Sequence, residues 1–305
     1  MKIIRQAQFH PTGRVLTLGN FDGVHKGHQA LMAEVVRQAE KHQALPTVVT
    51  FYPPPKAYFL PKGKYAFITP FTDKCLWLAK FGIVEILSLR FNKSLADMSA
   101  EDFINVHLRP LNIKAIILGD DFHFGKNRTG NIETLKQAGK TLGFEVLQIG
   151  TQSQEGFRIS SSKVRERLTN NETEGALDLL GHPLSITGHV CHGDKRGRTL
   201  GFPTLNVHIR DPLCYSGIFA VKILDLFQEP VFGVASLGVR PMYGALEKQL
   251  LEVHVFDKTF EAYGKKITVE LSHKIREEQM FESETQMVEA IHHDLHKAKV
   301  FFGIA

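Results

Sequence analysis

Residues 19–28 read Gly19-Asn20-Phe21-Asp22-Gly23-Val24-His25-Lys26-Gly27-His28. The run follows the apolar stretch Val15–Leu18 and precedes 29–43, where Leu31, Met32, Val35, Val36 and Ala39 recur at near-helical spacing. That order is strand, Gly-rich turn, helix. In such a unit the free amides and the positive end of the helix dipole face an anion, and a histidine at the turn donates to phosphate oxygens. A nucleoside triphosphate is the natural ligand. Taken alone, a Gly-rich turn is weak evidence, and two histidines three apart are more often surface residues or zinc ligands. Zinc wants three or four ligands of matching geometry, and no neighbouring cluster in the sequence supplies a convincing set.

Outward from this turn, up to about residue 150, short β-branched runs alternate with helical patterns. Strands are predicted at 15–18, 46–51, 83–89, 115–118 and 144–149, and helices near 29–43, 72–80, 99–109 and 131–142, with Ser99 and Asn131 as N-caps of the last two. Such alternation with short connections gives a Rossmann-like, doubly wound parallel sheet. Its ligands sit at the carboxyl ends of the strands, where residues 19–28 fall. From about 186 the pattern changes to six short strands, at 187–192, 202–208, 217–226, 231–236, 250–256 and 266–271, with no helix between them. Those predict an antiparallel β-barrel, followed by an amphipathic helix over 283–300. The joint falls in 158–183, which holds two helical pieces, 161–168 and 173–180. The expected domains are therefore 1–183 and 184–305.

The chain has 305 residues, 43% of them hydrophobic, enough for roughly two globular domains of about 150 residues. Its net charge of +5 is modest and its basic residues are dispersed, so a nucleic-acid partner is not indicated. Cys75, Cys191 and Cys214 form no C-x-x-C pair, which suits a reducing, cytoplasmic setting. The N-terminus lacks a signal-peptide core, and no apolar run approaches the roughly 20 residues of a membrane span.

Residues 188–207 read GHVCHGDKRGRTLGFPTLNV, with Gly193, Gly197 and Gly201 at intervals of four. Such a loop brings amides close to an anion, while Lys195, Arg196 and Arg198 offer charge. The rival reading is a flexible hairpin with solvated charges. Against it stands Pro203-Thr204-Leu205-Asn206, where a hydroxyl and an amide two apart on a strand share a face and suit a magnesium ion and the terminal phosphates of ATP.

Two resemblances now become specific. G-x-F-D-x-x-H-x-G-H resembles the HxGH signature of the nucleotidylyltransferase superfamily, at His25–His28. The 188–207 stretch is similar to the riboflavin kinase signature, and the pairing of the two resembles the bacterial bifunctional riboflavin kinase/FAD synthetases over almost the whole chain. Further residues agree in order: Gly119–Gly125, Ile159–Ser162 with Val164-Arg165, Leu180–Pro183, Gly238 with Arg240-Pro241, Glu252-Val253-His254, Tyr263-Gly264, and Arg276 with Phe281.

The resemblance implies phosphorylation of riboflavin to FMN by ATP in the C-terminal domain, then transfer of AMP from a second ATP to FMN in the N-terminal domain, giving FAD and pyrophosphate. It implies Glu252 as the base for the riboflavin 5′-hydroxyl and Thr204 and Asn206 as ligands of Mg2+ and phosphate. Gly193, Lys195, Gly197, Arg198, Gly201 and Pro203 would lie over the nucleotide, with Arg276 near the flavin. In the N-terminal domain it implies His25 and His28 as stabilisers of phosphate charge during in-line attack. Gly19, Asn20, Phe21, Asp22 and Gly27 would shape the phosphate turn, and Ser161, Ser162 and Arg165 would form a second phosphate grip. Ser160–Ser162 also reads as a plain N-cap, which is compatible with an anion site. Pro53, Pro55, Phe59, Asp121, Phe122 and Phe124 are the expected flavin-side residues, since an isoalloxazine ring is flat and largely apolar. Core packing competes for at least two of the aromatics in this region.

The segment 234–242 departs from the family's A-N-I-G-T-R-P-T at Ser236, Val239 and Met242, on the flavin side of the barrel. Gly217-Ile218-Phe219-Ala220 and Ser216 are milder variants. Two other readings compete: a nucleotidylyltransferase with a non-catalytic barrel, which F-P-T-L-N and E-V-H oppose, and a flavin carrier without turnover, which Glu252 opposes.

Overall fold

Six strands form one sheet: β1 (Lys2–Ile4), β2 (Arg14–Leu18), β3 (Leu45–Phe51), β4 (Glu85–Leu89), β5 (Ile113–Gly119) and β6 (Glu145–Ile149). Their order is β1-β4-β3-β2-β5-β6, and every pairing is parallel. The computed structural model describes residues 1–61, 63–150, 153–154, 157–193, 201–240, 248–257 and 261–305. β2 has β3 on one side and β5 on the other, so chain direction across the sheet reverses there. The crevice beyond its carboxyl end is the topological switch point of the sheet.

Helix α1 (Lys26–Lys41) buries Leu31, Met32, Val35 and Ala39, the residues whose spacing predicts it. Then come α2 (Pro55–Phe59), α3 (Phe71–Lys80), α4 (Lys93–Ala96), α5 (Ala100–Phe103) and α6 (Ile132–Leu142). Ser99 caps α5 by accepting from the Asp102 amide, and Asn131 caps α6 in a reciprocal box with Thr134. The helix expected over 99–109 is a composite: it widens to a π turn over Ile104–Leu108 and tightens to a 3₁₀ turn at Arg109–Leu111, where Pro110 has no amide to continue the ladder. Arg14, wholly buried on β2, pairs with Glu85 on β4 and donates to the carbonyls of Gln8 and Leu111. The pair lies inside a sheet whose core is otherwise Leu16, Leu18, Val49, Leu87, Ile116 and Leu118.

After a two-stranded ladder, β7 (Ser153–Gln154) and β8 (Phe157–Arg158), come α7 (Ser161–Thr169) and α8 (Thr173–Leu180). A closed antiparallel barrel follows, built from β9 (Leu184–Cys191), β10 (Leu205–His208), β11 (Gly217–Leu224), β12 (Val231–Arg240), β13 (Lys248–Val255) and β14 (Lys266–Arg276). Around the barrel the order is β10-β13-β12-β11-β14-β9. The six predicted strands are all present. β12 and β14 run four and five residues beyond their predicted ends, β14 over the mainly polar stretch Ser272–Arg276, where the apolar signal lapses. Helix α9 (Glu284–Phe302) starts at the cap Ser283 and ends at Gly303, whose φ of 68° suits glycine.

By its internal contacts the chain divides into one unit of Met1–Tyr65 with Lys74–Lys163 and a second of Ala66–Asp73 with Val164–Ala305. This differs from a single cut after Pro183, because Ala66–Asp73 bonds to barrel residues. Phe67 N–H donates to the Pro212 carbonyl at 2.7 Å, Phe71 N–H to Asp211 at 2.9 Å, and Thr187 donates to Asp73 from both its amide and its hydroxyl.

Candidate active sites

In the parallel-sheet unit a cavity of about 500 Å3 opens at the carboxyl ends of the strands. The turn between β2 and α1 forms one wall. It is wound tightly, with positive φ at Phe21 (52°), Gly23 (85°) and Val24 (39°). The Phe21 ring folds back over Gly19, where a Cβ would stand 2.7 Å from its Cζ. His25 is the N-cap of α1, and its Nδ1 accepts from the His28 amide at 3.4 Å. The two imidazoles stack with centroids 3.6 Å apart and planes 18° from parallel, while Phe21 meets His28 edge-on at 5.1 Å. Gly27 permits the stack, since a Cβ there would press on the His25 ring at 3.2 Å.

Burial pushes the His28 pKa well below its ordinary value, helped by the nearby charges of His25 and then Lys74. His28 Nδ1 is itself buried without a hydrogen-bond partner among the described residues. Beneath the turn Asp22 is 6% exposed and accepts from the Tyr65 hydroxyl at 3.1 Å, while its carbonyl accepts from Ser161 Oγ at 2.7 Å. Ser161 is thus tied to the histidine turn and shares the cavity. Ser160 caps the Lys163 amide, Ser162 is exposed, and Arg165 donates through Nε to the Ala66 carbonyl at 3.1 Å rather than lining the cavity.

Among the expected flavin-side residues, Pro55, Asp121 and Phe122 line the cavity. Phe124 is 7% exposed and belongs to the core, stacked on Phe122 with centroids 5.7 Å apart. Phe59 is 70% exposed and packs on Tyr58 and Phe91, away from the lining, and half-buried Pro53 is also outside it. Sequence reading missed Arg158, a cavity residue that pairs with Asp121 at 2.7 Å and Asp120 at 3.4 Å. It also missed Lys74.

In the barrel, register brings the chemistry together. Asn206 on β10 and Ser236 on β12 both stand opposite Glu252 on β13. They share the outer face because their neighbours Val207, Ala235, Leu237, Leu251 and Val253 point into the core. Asn206 is 7% exposed, yet its Oδ1 has no donor among the described residues. Gly193 packs so closely that any Cβ would collide with the Asn206 amide. Thr204 is half-buried, two residues before Asn206, and the exposed Pro203 accepts from His254 Nδ1 through its carbonyl at 3.0 Å. Gly201 takes φ 85°, a backbone that favours glycine. Lys195, Gly197 and Arg198, expected over the nucleotide, lie outside the described residues, as does Met242.

Arg276, expected near the flavin, is engaged with the buried Asp294 of α9 in a two-pronged ion pair, with Nη2 to Oδ2 at 2.7 Å and Nε to Oδ1 at 2.9 Å. The pair fastens α9 to β14. Glu278, two residues further on and absent from the sequence reading, accepts from Ser236 Oγ at 3.4 Å and lies hard against Gly238. Partial burial raises its pKa, and the neighbouring Glu252 charge adds to the rise.

A doubly wound parallel sheet and a closed antiparallel barrel, each with its own polar site, make this a two-domain enzyme of the transferase class. Residues 7–163 match the FAD synthetase family and residues 180–302 the riboflavin kinase family. A protein of Escherichia coli K12, named bifunctional riboflavin kinase/FMN adenylyltransferase, is 39% identical over 100% of this chain and 99% of its own length. The like-named protein of Haemophilus influenzae is 39% identical over 95% of each chain. The chain belongs to this bifunctional family. A solved structure from Streptococcus pneumoniae, described as a macrolide-efflux protein, shares the fold over 96% of each chain with a TM-score of 0.79 at 29% identity. Among the described residues no helix is long and apolar enough to cross a membrane.

Proposed function

We propose that this chain makes FMN from riboflavin in its barrel and FAD from FMN in its parallel-sheet unit, using ATP in both steps. The observation that carries the assignment of sites is a matched pair of orphaned polar atoms, His28 Nδ1 at the histidine turn and Asn206 Oδ1 beside Glu252. Both are buried groups that a phosphate or metal ligand would satisfy.

In the barrel the 5′-hydroxyl of riboflavin attacks the γ-phosphorus of ATP. The new O–P bond forms as the bond to the β-phosphate oxygen breaks, and ADP leaves. Glu252 orients the hydroxyl and takes its proton. An amide oxygen without a donor and a nearby hydroxyl are hard oxygen donors of the kind Mg2+ accepts, so Asn206 and Thr204 would hold that ion. When bound, Mg2+ neutralises charge on the terminal phosphates.

In the parallel-sheet unit an FMN phosphate oxygen attacks the α-phosphorus of ATP, and the bond to the β-phosphate breaks to release pyrophosphate. The residues position the reactants and stabilise charge, with no covalent nucleophile. His28 is uncharged at neutral pH in the free protein, and an arriving triphosphate favours its protonated, doubly donating form. Ser161, tied to the same turn, is placed to donate to the phosphates, and Pro55 and Phe122 offer apolar surface for the flavin. Small molecules rather than nucleic acid are the partners of both sites, and the cytoplasm is the compartment this reading implies.

Incubating the protein with riboflavin, ATP and magnesium and following flavins by chromatography tests the reading. FMN first and FAD later are expected; no turnover, with flavin bound, would replace it with the carrier alternative.

A further inference from the structure

A buried lysine is an expensive feature, since an ammonium group loses its hydration in the interior. Lys74 on α3 is 6% exposed. Its Nζ donates to the Asn20 carbonyl at 3.0 Å and to Thr50 Oγ1 at 3.1 Å, and the Thr50 hydroxyl donates in turn to the same Asn20 carbonyl at 3.3 Å. The three groups form a closed triangle directly under the histidine turn. Neither the family-derived roles nor the reaction scheme above uses Lys74.

The consequence follows from peptide geometry. In a trans peptide the C=O and N–H point in opposite directions. Drawing the Asn20 carbonyl down to Lys74 turns the N–H of the same peptide unit, that of Phe21, away from Lys74. Phe21 lines the cavity. Its amide donates to no group among the described residues, and its φ of 52° is a backbone that needs outside support.

We propose that Lys74 is a positioning residue for adenylyl transfer: it holds the Asn20–Phe21 peptide with its amide toward the triphosphate and places a fixed positive charge beneath the turn. A charge installed before the ligand arrives needs no reorganisation during the reaction, which is what makes preorganised electrostatics effective. The same charge contributes, after burial and His25, to the low pKa of His28. The proposal rests on the histidine turn being the adenylyl-transfer site.

The test compares Lys74→Met, Lys74→Gln and His28→Ala in the full-length protein, with riboflavin phosphorylation measured beside FMN adenylylation. Lys74→Met should cut kcat for FAD formation roughly a hundredfold, as loss of one preorganised donor does, while riboflavin phosphorylation stays within about twofold, well under the 1.4 kcal/mol of a tenfold change. The alkaline limb of its pH–rate profile, where His28 gives up its proton, should move to higher pH, because His28 no longer faces the Lys74 charge. Lys74→Gln, which keeps a donor without the charge, should recover part of kcat and leave the limb displaced. Normal FAD formation and an unmoved limb in either Lys74 variant would overturn the proposal when His28→Ala is inactive. If His28→Ala also makes FAD normally, the site assignment itself fails. Should Lys74→Met not fold, Lys74→Gln alone decides by the same two readouts.

Discussion

The two sites of this molecule are assembled in opposite ways. In the parallel-sheet unit a single ten-residue stretch carries the turn, both histidines and the glycine that lets their rings stack, and sequence neighbours are spatial neighbours. In the barrel Asn206, Ser236 and Glu252 come from three strands and meet only because β10, β13 and β12 pair in one register. Glu278 joins them from beyond the end of β14. A helix N-terminus supplies a site by local winding, whereas a sheet supplies one by cross-strand pairing. The first kind depends on backbone conformation at a few residues, the second on the integrity of the whole barrel.

The strongest attempt to break this contrast is a reciprocal pair. Glu252→Gln should lower FMN formation by about a thousandfold or more while FAD formation from supplied FMN persists, and His28→Ala should do the reverse with a loss on the order of a hundredfold. Loss of both activities in either variant would show that the sites are not independent. Glycine substitutions come next. Gly193→Ala displaces the Asn206 side chain and should impair the kinase step by more than about tenfold, while Gly27→Ala, which need move the His25 ring only a few tenths of an ångström, should cost adenylyl transfer less. Steady-state rates for both half-reactions decide the order.

Stability sharpens the same comparison. Glu85→Gln strands the Arg14 charge inside the sheet and should destabilise that unit by about 3–5 kcal/mol in denaturant unfolding. Asp73, which lies in the barrel unit together with its partner Thr187, behaves differently. Burial raises its pKa to about 6 from 3.8, against the opposing hydrogen bonds of Thr187 and Ser185. The folded pKa is the higher one, so its contribution is full below about pH 3.8 and declines as pH rises through 6, by about 3 kcal/mol in all. Asp73→Asn should flatten that part of the pH–stability curve between pH 4 and 7. An unchanged curve would locate the dependence elsewhere. The smallest effect is expected of Ser236→Ala, which removes one 3.4 Å bond to Glu278 and should alter riboflavin phosphorylation by no more than a fewfold.

How much of this was legible follows from the same division. The turn at 19–28 and its cap residues could be read directly, since amide geometry at a helix start is local; even Ser99 and Asn131 act as the caps their positions predict. The barrel's strands were legible from alternation, but not their partners, so Glu278 went unseen beyond a strand whose polar final residues hid its extent. Lys74 left no signal either, because a lysine in an amphipathic helix reads as solvated until the carbonyl it supports is located. Among the aromatics only burial separates Phe122, which lines the cavity, from Phe124, which is core. Arg276 shows the converse: its motif was readable, while its bond to Asp294 depended on where α9 docks.

The register that joins Glu252 to Asn206 and Ser236 also sends Leu251 and Val253 inward. A slip of one residue on β13 would turn the carboxylate into the barrel and those two apolar side chains out to solvent. Errors in this strand therefore reveal themselves as sticky, proteolysis-prone chains rather than as soluble impostors that occupy flavin without converting it. The cell's ordinary surveillance of exposed apolar surface would, in effect, also proofread the position of this carboxylate.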